Sequence, residues 1–127
     1  MTRVTSVAVA VVEHQNRFLI GQRSSSVPLG GLWEIPGGKI AADESPPVAA
    51  ARECLEETGL RVEVAHCLVV HLQQYEHGDI KLYFFACRPL DPDASPNAPF
   101  EWVARDQLSA RRFPDGNRPL LQRLLGD

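Results

Sequence analysis

The strongest structural signal in the sequence is a helix that follows a pair of glycines. Ser45 is suited to cap the start of a helix, and Pro46 follows at the first helical position, where its missing N–H costs nothing. The helical pattern continues to Gly59, a residue that favours the left-handed conformation in which many helices end. Gly37-Gly38 lies ahead of this helix, and a pair of glycines can leave a backbone carbonyl free for a metal.

Three glutamates crowd one side of the predicted helix. Glu53, Glu56 and Glu57 stand at positions i, i+3 and i+4, which share a face. Like charges at this spacing repel, and a hard cation such as Mg²⁺, which favours carboxylate oxygens and substrate phosphates, would turn the repulsion into ligation. The alternative is a solvated helix face without a ligand. The glycine pair favours a metal site, because it lets backbone approach a ligand closely.

The rest of the chain reads mainly as β-strands. In the first segment, 4–13, Val9 and Val11 point one way and Ala8 and Ala10 the other, which predicts a strand buried on both faces. Further strands are predicted at 17–23, 32–36, 62–76, 80–88 and 100–104, with a last helix at 119–125. Strands and helices mix without regular βαβ alternation, so we predict an α/β (α+β) fold with a mixed sheet, as in a layered α/β/α domain. The side of the acidic helix that can face the core carries Val48, Ala51, Leu55 and Thr58.

Composition and charge exclude several classes of protein. A length of 127 residues predicts one domain over 1–127. The net charge of -3 argues against a basic face for duplex DNA, though not against a small phosphorylated substrate. The three cysteines lack CxxC spacing, which favours reduced thiols in a cytoplasmic protein over a disulfide framework. We find neither a signal-peptide pattern nor an apolar run long enough to cross a membrane.

The acidic helix and the glycines before it carry a specific motif. Gly38, Glu44 and the segment Arg52–Leu60 (RECLEETGL) match the pattern G-x5-E-x7-R-E-U-x-E-E-x-G-U, in which U is an apolar residue. The match resembles the Nudix box at every fixed position, with the small and mildly apolar Cys54 in the first U slot. The preceding segment Trp33–Lys39 (WEIPGGK) extends the resemblance.

The resemblance implies a fold, an activity and a metal site. The fold would be an α/β/α sandwich with a mixed sheet, and the activity would be hydrolysis of nucleoside diphosphates linked to another moiety. The groups that would hold Mg²⁺, or Mn²⁺, are the carboxylates and the carbonyl of Glu53, Glu56, Glu57 and Gly37. The residues that would support the loop and orient these carboxylates are Glu44 and Arg52. The substrate would contact Gly38 and Lys39.

The end of the chain indicates which kind of Nudix hydrolase this is. The segment Phe113–Pro119 (FPDGNRP) resembles the end of MutT-type nucleoside triphosphate pyrophosphohydrolases, in which an asparagine reads a purine edge and favours 8-oxoguanine. Asn117 would take that role, since an amide offers donors and an acceptor. The alternative is that Asn117 caps the last helix, where Asn is favoured.

Three further residues match MutT-type positions, and each has a structural alternative. Arg23 would lie near the nucleotide phosphates or sugar, or else at a solvent-facing strand end. Ile35 would pack against the base, or else belong to the core. Glu101 would supply a further metal-bound or basic carboxylate, able to act as general base on a metal-bound water, or else occupy an exposed strand position.

We therefore expect a MutT-type enzyme that releases a nucleoside monophosphate and pyrophosphate from a nucleoside triphosphate. An oxidised guanine nucleotide such as 8-oxo-dGTP is the leading substrate, which implies nucleotide-pool sanitation and DNA repair. The alternatives are CTP or modified pyrimidine nucleotides, ADP-ribose, dinucleoside polyphosphates and sugar nucleotides. A non-catalytic Nudix-fold binding module is disfavoured, because every metal-binding carboxylate is present. The partner would be a small nucleotide rather than duplex nucleic acid or a membrane, and the protein would be a monomer or homodimer.

Overall fold

The computed structural model describes residues 3–26, 28 and 30–126 of the chain. Within these residues it has seven strands and two α-helices. The strands are β1 (Val4–His14), β2 (Arg17–Gln22), β3 (Trp33–Glu34), β4 (Gly37–Lys39), β5 (Val62–Tyr75), β6 (Gly78–Pro89) and β7 (Phe100–Ala104). The helices are α1 (Pro46–Thr58) and α2 (Arg118–Leu125), and short 3₁₀ turns span Arg105–Ala110 and Asp115–Asn117. In this described part of the chain, no helix is long and apolar enough to cross a membrane.

Strand β1 lies at the centre of a mixed sheet. It runs parallel to β6, from the pair Val4↔Asp79 to the pair Val12↔Cys87, and antiparallel to β4. Strand β5 is antiparallel to β6, while β2 is antiparallel to β1, β3 and β7. The main strand order is β3-β2-β1-β6-β5. The α+β fold with a mixed sheet is therefore confirmed.

Strand β1 is buried on both faces, as its alternating sequence predicts. Ala8 and Ala10 belong to a core cluster that includes residues of α1. Val9 and Val11 belong to a second cluster, which includes Leu120 of α2. Because a helix covers each face of the sheet, β1 carries small and β-branched side chains along its buried length rather than alternating polar ones.

Helix α1 begins and ends where the sequence predicts. Ser45 has the extended backbone of an N-cap, Pro46 is the first helical residue, and Gly59 ends the helix with a left-handed φ of 78°. In the described structure the Ser45 side chain makes no capping hydrogen bond. The bounds of α1 therefore rest on the backbone preferences of Pro46 and Gly59 rather than on a serine cap.

The buried side of α1 differs from the expected one. The helical pattern predicts Val48 and Leu55 on the core side, but they are 58% and 43% exposed. Thr58 is fully buried, as expected, and the other buried residues of the helix are Ala49, Ala50 and Cys54. The reason is that small side chains let a helix lie close to a sheet, so the alanines pack there in place of the larger aliphatic residues.

Two predicted strands differ in detail from the observed ones. The predicted strand 32–36 is broken, and β3 and β4 flank Pro36, which has no N–H to donate to a strand ladder. The Pro36 carbonyl instead accepts a hydrogen bond of 2.8 Å from the Ala10 N–H. The predicted strand 62–76 forms the single strand β5, with register shifts between Val64 and His66 and between Cys67 and Val69.

The Thr58 hydroxyl ties the end of α1 to the segment that follows it. In a fully buried position it donates to the Cys54 carbonyl at 2.7 Å and accepts from the Leu60 N–H at 3.1 Å. We expect Thr58→Val to lower the free energy of unfolding by about 1–3 kcal/mol, because it leaves the buried Leu60 N–H without a partner. Thr58→Ser keeps the hydroxyl and should lose less. Urea denaturation measures both variants, and equal losses would contradict a role for the hydroxyl.

Candidate active site

Two of the three glutamates on α1 face the glycine strand β4. The Glu53 carboxylate rests against Gly38, since a Cβ atom placed on Gly38 would lie 1.9 Å from Glu53 Oε2. The Gly37 N–H donates to Glu57 Oε1 at 2.9 Å. Glu56 lies farther out, with 57% of its side chain exposed, against 16% for Glu53. The glycine pair therefore leaves the space on the sheet surface that the Glu53 and Glu57 carboxylates occupy.

Arg52 links these carboxylates to the segment that precedes α1. Its Nε donates to Glu44 Oε2 at 2.6 Å, and its Nη2 donates to the Lys39 carbonyl at 3.1 Å. Its Nη1 lies 3.0 Å from Glu53 Oε1 and 3.2 Å from Glu56 Oε1. One guanidinium thus holds two glutamates of α1, the loop carboxylate and the end of β4 in a single network.

Glu44 is held firmly in its ionised form. The hydrogen bond from Arg52 and, to a lesser extent, the hydrogen bond from the N–H of Ala41, 2.9 Å from Glu44 Oε1, together lower the pKa of Glu44 to about 2. The same ion pairs raise the pKa of Arg52 above its usual range. This geometry supports the orienting role that the family resemblance implies for Glu44 and Arg52.

The Glu57 carboxyl is partly buried and lies close to several other carboxylates. The pKa of Glu57 is raised to about 7, with burial as the largest cause and the negative charges of Glu34, Glu53 and Glu56 as smaller ones. The hydrogen bond from the Gly37 N–H acts in the opposite direction. Because a nearby positive charge favours the ionised form, a divalent cation at this position would relieve the repulsion.

The chemistry of this donor set fits Mg²⁺ or Mn²⁺. As placed, the described residues contain no group of three acidic, histidine or cysteine side chains close enough to hold a metal ion. Arg52 and the Gly37 N–H engage their oxygens instead. Glu53, Glu56 and Glu57 nevertheless offer the hard carboxylate oxygens that these cations bind, from neighbouring positions of one helix. Side-chain rotation, rather than backbone movement, would therefore gather them around an ion.

Glu34, to which the sequence analysis assigned no role, belongs to the same surface. Its carboxylate contributes to raising the pKa of Glu57, and its Oε2 accepts from Arg23 Nη1 at 2.7 Å. In the sheet register Glu34 pairs with Gly21 of β2. The sequence signal that could have identified Glu34 is its place in the segment Trp33–Lys39, which extends the motif. A glutamate in a predicted strand does not reveal which charges lie beside it.

A cleft of about 650 Å³ lies next to the loop that follows Arg23. Loop residues Pro28 and Leu32 line it, together with the rings of Tyr75 and Phe113. Arg23 is bound to both loop residues, since its Nε donates to the Pro28 carbonyl at 3.0 Å and its backbone N–H to the Leu32 carbonyl at 2.9 Å. Arg23 therefore connects the carboxylate surface, through Glu34, with the cleft.

Asn117 and Ile35 were both predicted to contact a nucleotide base, and the structure treats them differently. Asn117 occupies the N-cap position of α2, yet in the described structure its side chain makes no capping hydrogen bond. Its amide is thus not committed to the structural alternative. Ile35 packs against the core cluster on the α2 side of the sheet. That position favours the core alternative for Ile35.

Glu101 lies on β7 rather than on the loop-helix segment of the other carboxylates, and its proposed metal-binding or basic role stays a prediction. Glu101 is exposed on β7 and pairs with Ile20 of β2. Paired residues on antiparallel strands point to the same face, and the Ile20 side chain lies in the core cluster on the α2 side. Glu101 therefore points away from the face of the sheet that α1 covers. Lys39 is also exposed, and its backbone carbonyl, not its ammonium group, joins the Arg52 network.

The fold and the site together define an α+β hydrolase domain in which most acidic groups of the site come from one loop-helix segment. The chain belongs to the NUDIX domain family, whose model matches residues 2–124, and it is a MutT-like Nudix hydrolase. Hydrolases of this family generally need a divalent metal ion, in agreement with the carboxylate donors of α1.

Two relatives and one solved structure illustrate the similarity. The chain is 30% identical over 123 residues to the 8-oxo-dGTP diphosphatase of Escherichia coli (strain K12), covering 93% of this chain and 94% of the relative. It is 32% identical over 81 residues to the CTP pyrophosphohydrolase of the same organism, covering 64% of this chain and 60% of the relative. The solution structure of the E. coli ORF135 protein matches with a TM-score of 0.81 at 25% identity, covering 98% of this chain and 90% of that one.

Proposed function

We propose that this Nudix hydrolase converts a nucleoside triphosphate into a nucleoside monophosphate and pyrophosphate, with oxidised guanine nucleotides such as 8-oxo-dGTP as its substrates. The observation that carries the proposal is the junction at Arg23, which connects a carboxylate surface with an open, partly aromatic cleft. A nucleotide substrate needs both, because its phosphates must be bound through a metal ion and its base must pack against an apolar surface. The similarity to an 8-oxo-dGTP diphosphatase over nearly the whole chain supports the substrate, and the family match over 2–124 supports one domain.

The phosphates would be handled by the carboxylate surface. Glu53, Glu56 and Glu57 would hold Mg²⁺, with Mn²⁺ as a substitute, because both are hard cations that bind carboxylates and phosphates. When bound, the metal neutralises phosphate oxygens and lowers the pKa of a water nucleophile. Arg52 and Glu44 keep the glutamates oriented through the ion pairs of the network.

The base would enter the cleft. The rings of Tyr75 and Phe113 offer apolar faces on which a base can stack. Asn117 lies two residues beyond Asp115, which also lines the cleft, and the Asn117 amide can pair with a base edge. This arrangement supports recognition of the base by Asn117. The alternative is that Asn117 serves only as the N-cap residue of α2.

A hydrolysis screen tests the proposed function. The purified protein is incubated with Mg²⁺, and separately with Mn²⁺, and with 8-oxo-dGTP, dGTP, CTP, ADP-ribose and a dinucleoside polyphosphate. We expect release of a monophosphate and pyrophosphate from the triphosphates, abolished by a chelator, with the highest kcat/KM for 8-oxo-dGTP. A protein that leaves every triphosphate intact with both metals would contradict the proposal.

A second candidate substrate is CTP or a modified pyrimidine nucleotide. The similarity to a CTP pyrophosphohydrolase favours it, although that match covers a smaller part of the chain than the match to the 8-oxo-dGTP diphosphatase. The chemistry would be the same, since the metal held by the carboxylate surface would contact the phosphates and not the base. The screen separates the two candidates, because a higher kcat/KM for CTP than for 8-oxo-dGTP would favour the pyrimidine.

The proposed setting is the cytoplasmic nucleotide pool, where removal of oxidised nucleotides protects DNA from their incorporation. Three cysteines without CxxC spacing suit a reducing compartment. A non-catalytic binding module is disfavoured for the same reason as before, since Glu53, Glu56 and Glu57 are all present and two of them face β4.

Replacement of Asn117 by alanine tests the proposed recognition of the base. We expect Asn117→Ala to lower kcat/KM for 8-oxo-dGTP about tenfold or more and to reduce the preference over dGTP, because an amide paired with the base edge is lost. Gln122→Ala removes an exposed amide from the same helix and is the matched control. Both variants are assayed with both nucleotides. An unchanged ratio of the two kcat/KM values in Asn117→Ala would count against the role.

A further inference from the structure

The Arg23 guanidinium is held by hydrogen bonds to two different segments of the chain. Its Nη1 pairs with Glu34 Oε2 at 2.7 Å, and its Nε donates to the Pro28 carbonyl at 3.0 Å. A guanidinium has five N–H donors, so two of them are engaged by these contacts. The described structure assigns no hydrogen bond to the other donors of Arg23, and 34% of its side chain is exposed. The group is thus held in place while part of its fork stays accessible.

Glu34 stands where it can place Arg23 beside the phosphates. In the register of β2 and β3 it pairs with Gly21, which has no side chain, so β2 leaves space beside the Glu34 side chain. Glu34 also lies three residues before Gly37, whose N–H donates to Glu57 Oε1 at 2.9 Å. Glu34 therefore touches Arg23 on one side and adjoins the carboxylate surface on the other.

We propose that Glu34 is a positioning residue that holds the Arg23 guanidinium at the boundary between the carboxylate surface and the cleft, where its accessible N–H donors bind a phosphate of the nucleotide. The inference rests on the proposed function and adds a residue to it. Glu34 itself carries negative charge and repels phosphate, so its contribution must come through Arg23. Guanidinium forks bind phosphate with paired, charge-assisted hydrogen bonds, and holding the fork in advance lowers the entropy cost of binding.

This role predicts a particular pattern of effects. Glu34→Ala frees the Arg23 side chain, so we expect Kd for a nucleotide and KM to rise about tenfold, while kcat changes less than about threefold. Arg23→Ala should raise Kd at least as much. The double variant should bind no more weakly than Arg23→Ala, because two residues that act through one contact are not additive. Glu34→Gln keeps a hydrogen-bond acceptor for Arg23 and should fall between the parent and Glu34→Ala.

The experiment measures binding separately from hydrolysis. Calorimetry gives Kd for a methylene-bridged dGTP analogue that resists cleavage, with Mg²⁺ present, and steady-state kinetics with dGTP gives kcat and KM. Electron paramagnetic resonance of Mn²⁺ gives the affinity for metal without nucleotide, which we expect to be unchanged in Glu34→Ala. Glu63→Ala breaks the exposed ion pair with Arg88 on other strands and is the matched control. Thermal unfolding verifies that each variant is folded.

The outcomes separate the inference from the proposed function. An analogue that does not bind the parent protein would overturn the positioning role, whereas only the hydrolysis screen can overturn the proposed function. If the parent binds it and Glu34→Ala binds it equally well, the positioning role is wrong and the function stands. Weaker Mn²⁺ binding together with a large loss of kcat in Glu34→Ala would make Glu34 a metal ligand, and additive losses in the double variant would make it independent of Arg23. Either result also overturns the positioning role.

Discussion

Replacement of Glu57 by glutamine is expected to lower kcat for triphosphate hydrolysis about 10³-fold, the scale of loss when one group that stabilises transition-state charge is removed. Glutamine has nearly the same shape as glutamate and keeps an oxygen that can accept from the Gly37 N–H. The substitution therefore removes the charge and leaves the hydrogen bond to β4. A loss of activity would report the charge itself, which is what a metal ligand must supply.

The same substitution should not destabilise the protein. In the absence of metal, burial and the neighbouring carboxylates raise the pKa of Glu57 to about 7, so the ionised side chain is unfavourable in the fold. At pH 8, where this group is mostly ionised in both the folded and the unfolded chain, we expect the metal-free variant to unfold at the same urea concentration as the parent, or higher. Opposite signs for activity and stability would mark a group retained for function.

Three measurements on Glu57→Gln decide the assignment: kcat with Mg²⁺, the affinity for Mn²⁺ by electron paramagnetic resonance, and urea denaturation without metal. Glu63→Gln removes an exposed carboxylate of β5 and is the matched control for charge. A variant that hydrolyses as fast as the parent would contradict the metal site in every enzymatic interpretation. A loss of activity with unchanged Mn²⁺ affinity would move Glu57 from metal binding to another catalytic role.

Alanine at the two neighbouring glycines is expected to give two different defects. On Gly38, a Cβ would lie 1.9 Å from Glu53 Oε2 and 2.4 Å from its Cδ, so the flexible carboxylate must move. We expect Gly38→Ala to lower kcat/KM about 10²-fold, the cost of a misplaced group at a reacting centre, with little loss of stability. The side chain that moves is one of the proposed metal ligands.

On Gly37, a Cβ would meet backbone instead. It would lie 2.6 Å from the Ala8 carbonyl oxygen and 3.0 Å from Val9 Cα, both in the central strand β1. Backbone cannot rotate away, so we expect Gly37→Ala to lower the free energy of unfolding by about 1–3 kcal/mol, the typical cost of overpacking. Urea denaturation and kcat/KM of both variants test the contrast. Equal stability losses in the two variants would show that Glu53 does not yield as the geometry predicts.

The bounds and the type of the main elements could be predicted from local chemistry. Pro46 and Gly59 delimit α1 because each has a backbone preference that requires no distant partner. The alternation of β1 likewise predicts its burial on both faces. Pro36 interrupts a predicted strand for an equally local reason, since it has no N–H to donate. The Nudix box was recognisable because its spacing lies within one continuous segment.

The orientation of α1 could not be predicted in the same way. Hydrophobicity favoured Val48 and Leu55 as the core side, whereas the structure buries Ala49, Ala50 and Cys54. Gly37 and Gly38 of β4 contribute to this orientation of α1, because they leave space on the sheet for the Glu57 and Glu53 carboxylates. A helical pattern contains no information about what lies opposite it. The ion pair of Arg23 with Glu34 and the pairing of Glu101 with Ile20 are likewise contacts between separate strands or loops.

The sequence by itself therefore determined the family, the carboxylates of α1 and the glycine pair before them, since these form a linear pattern. Only the tertiary structure decided that Glu53 and Glu57 point toward β4, that Glu34 adjoins them and that Arg23 joins them to a cleft. The physical reason is that side-chain charges act through space. Residues far apart in the chain alter one another's pKa and position only after the sheet has brought them together.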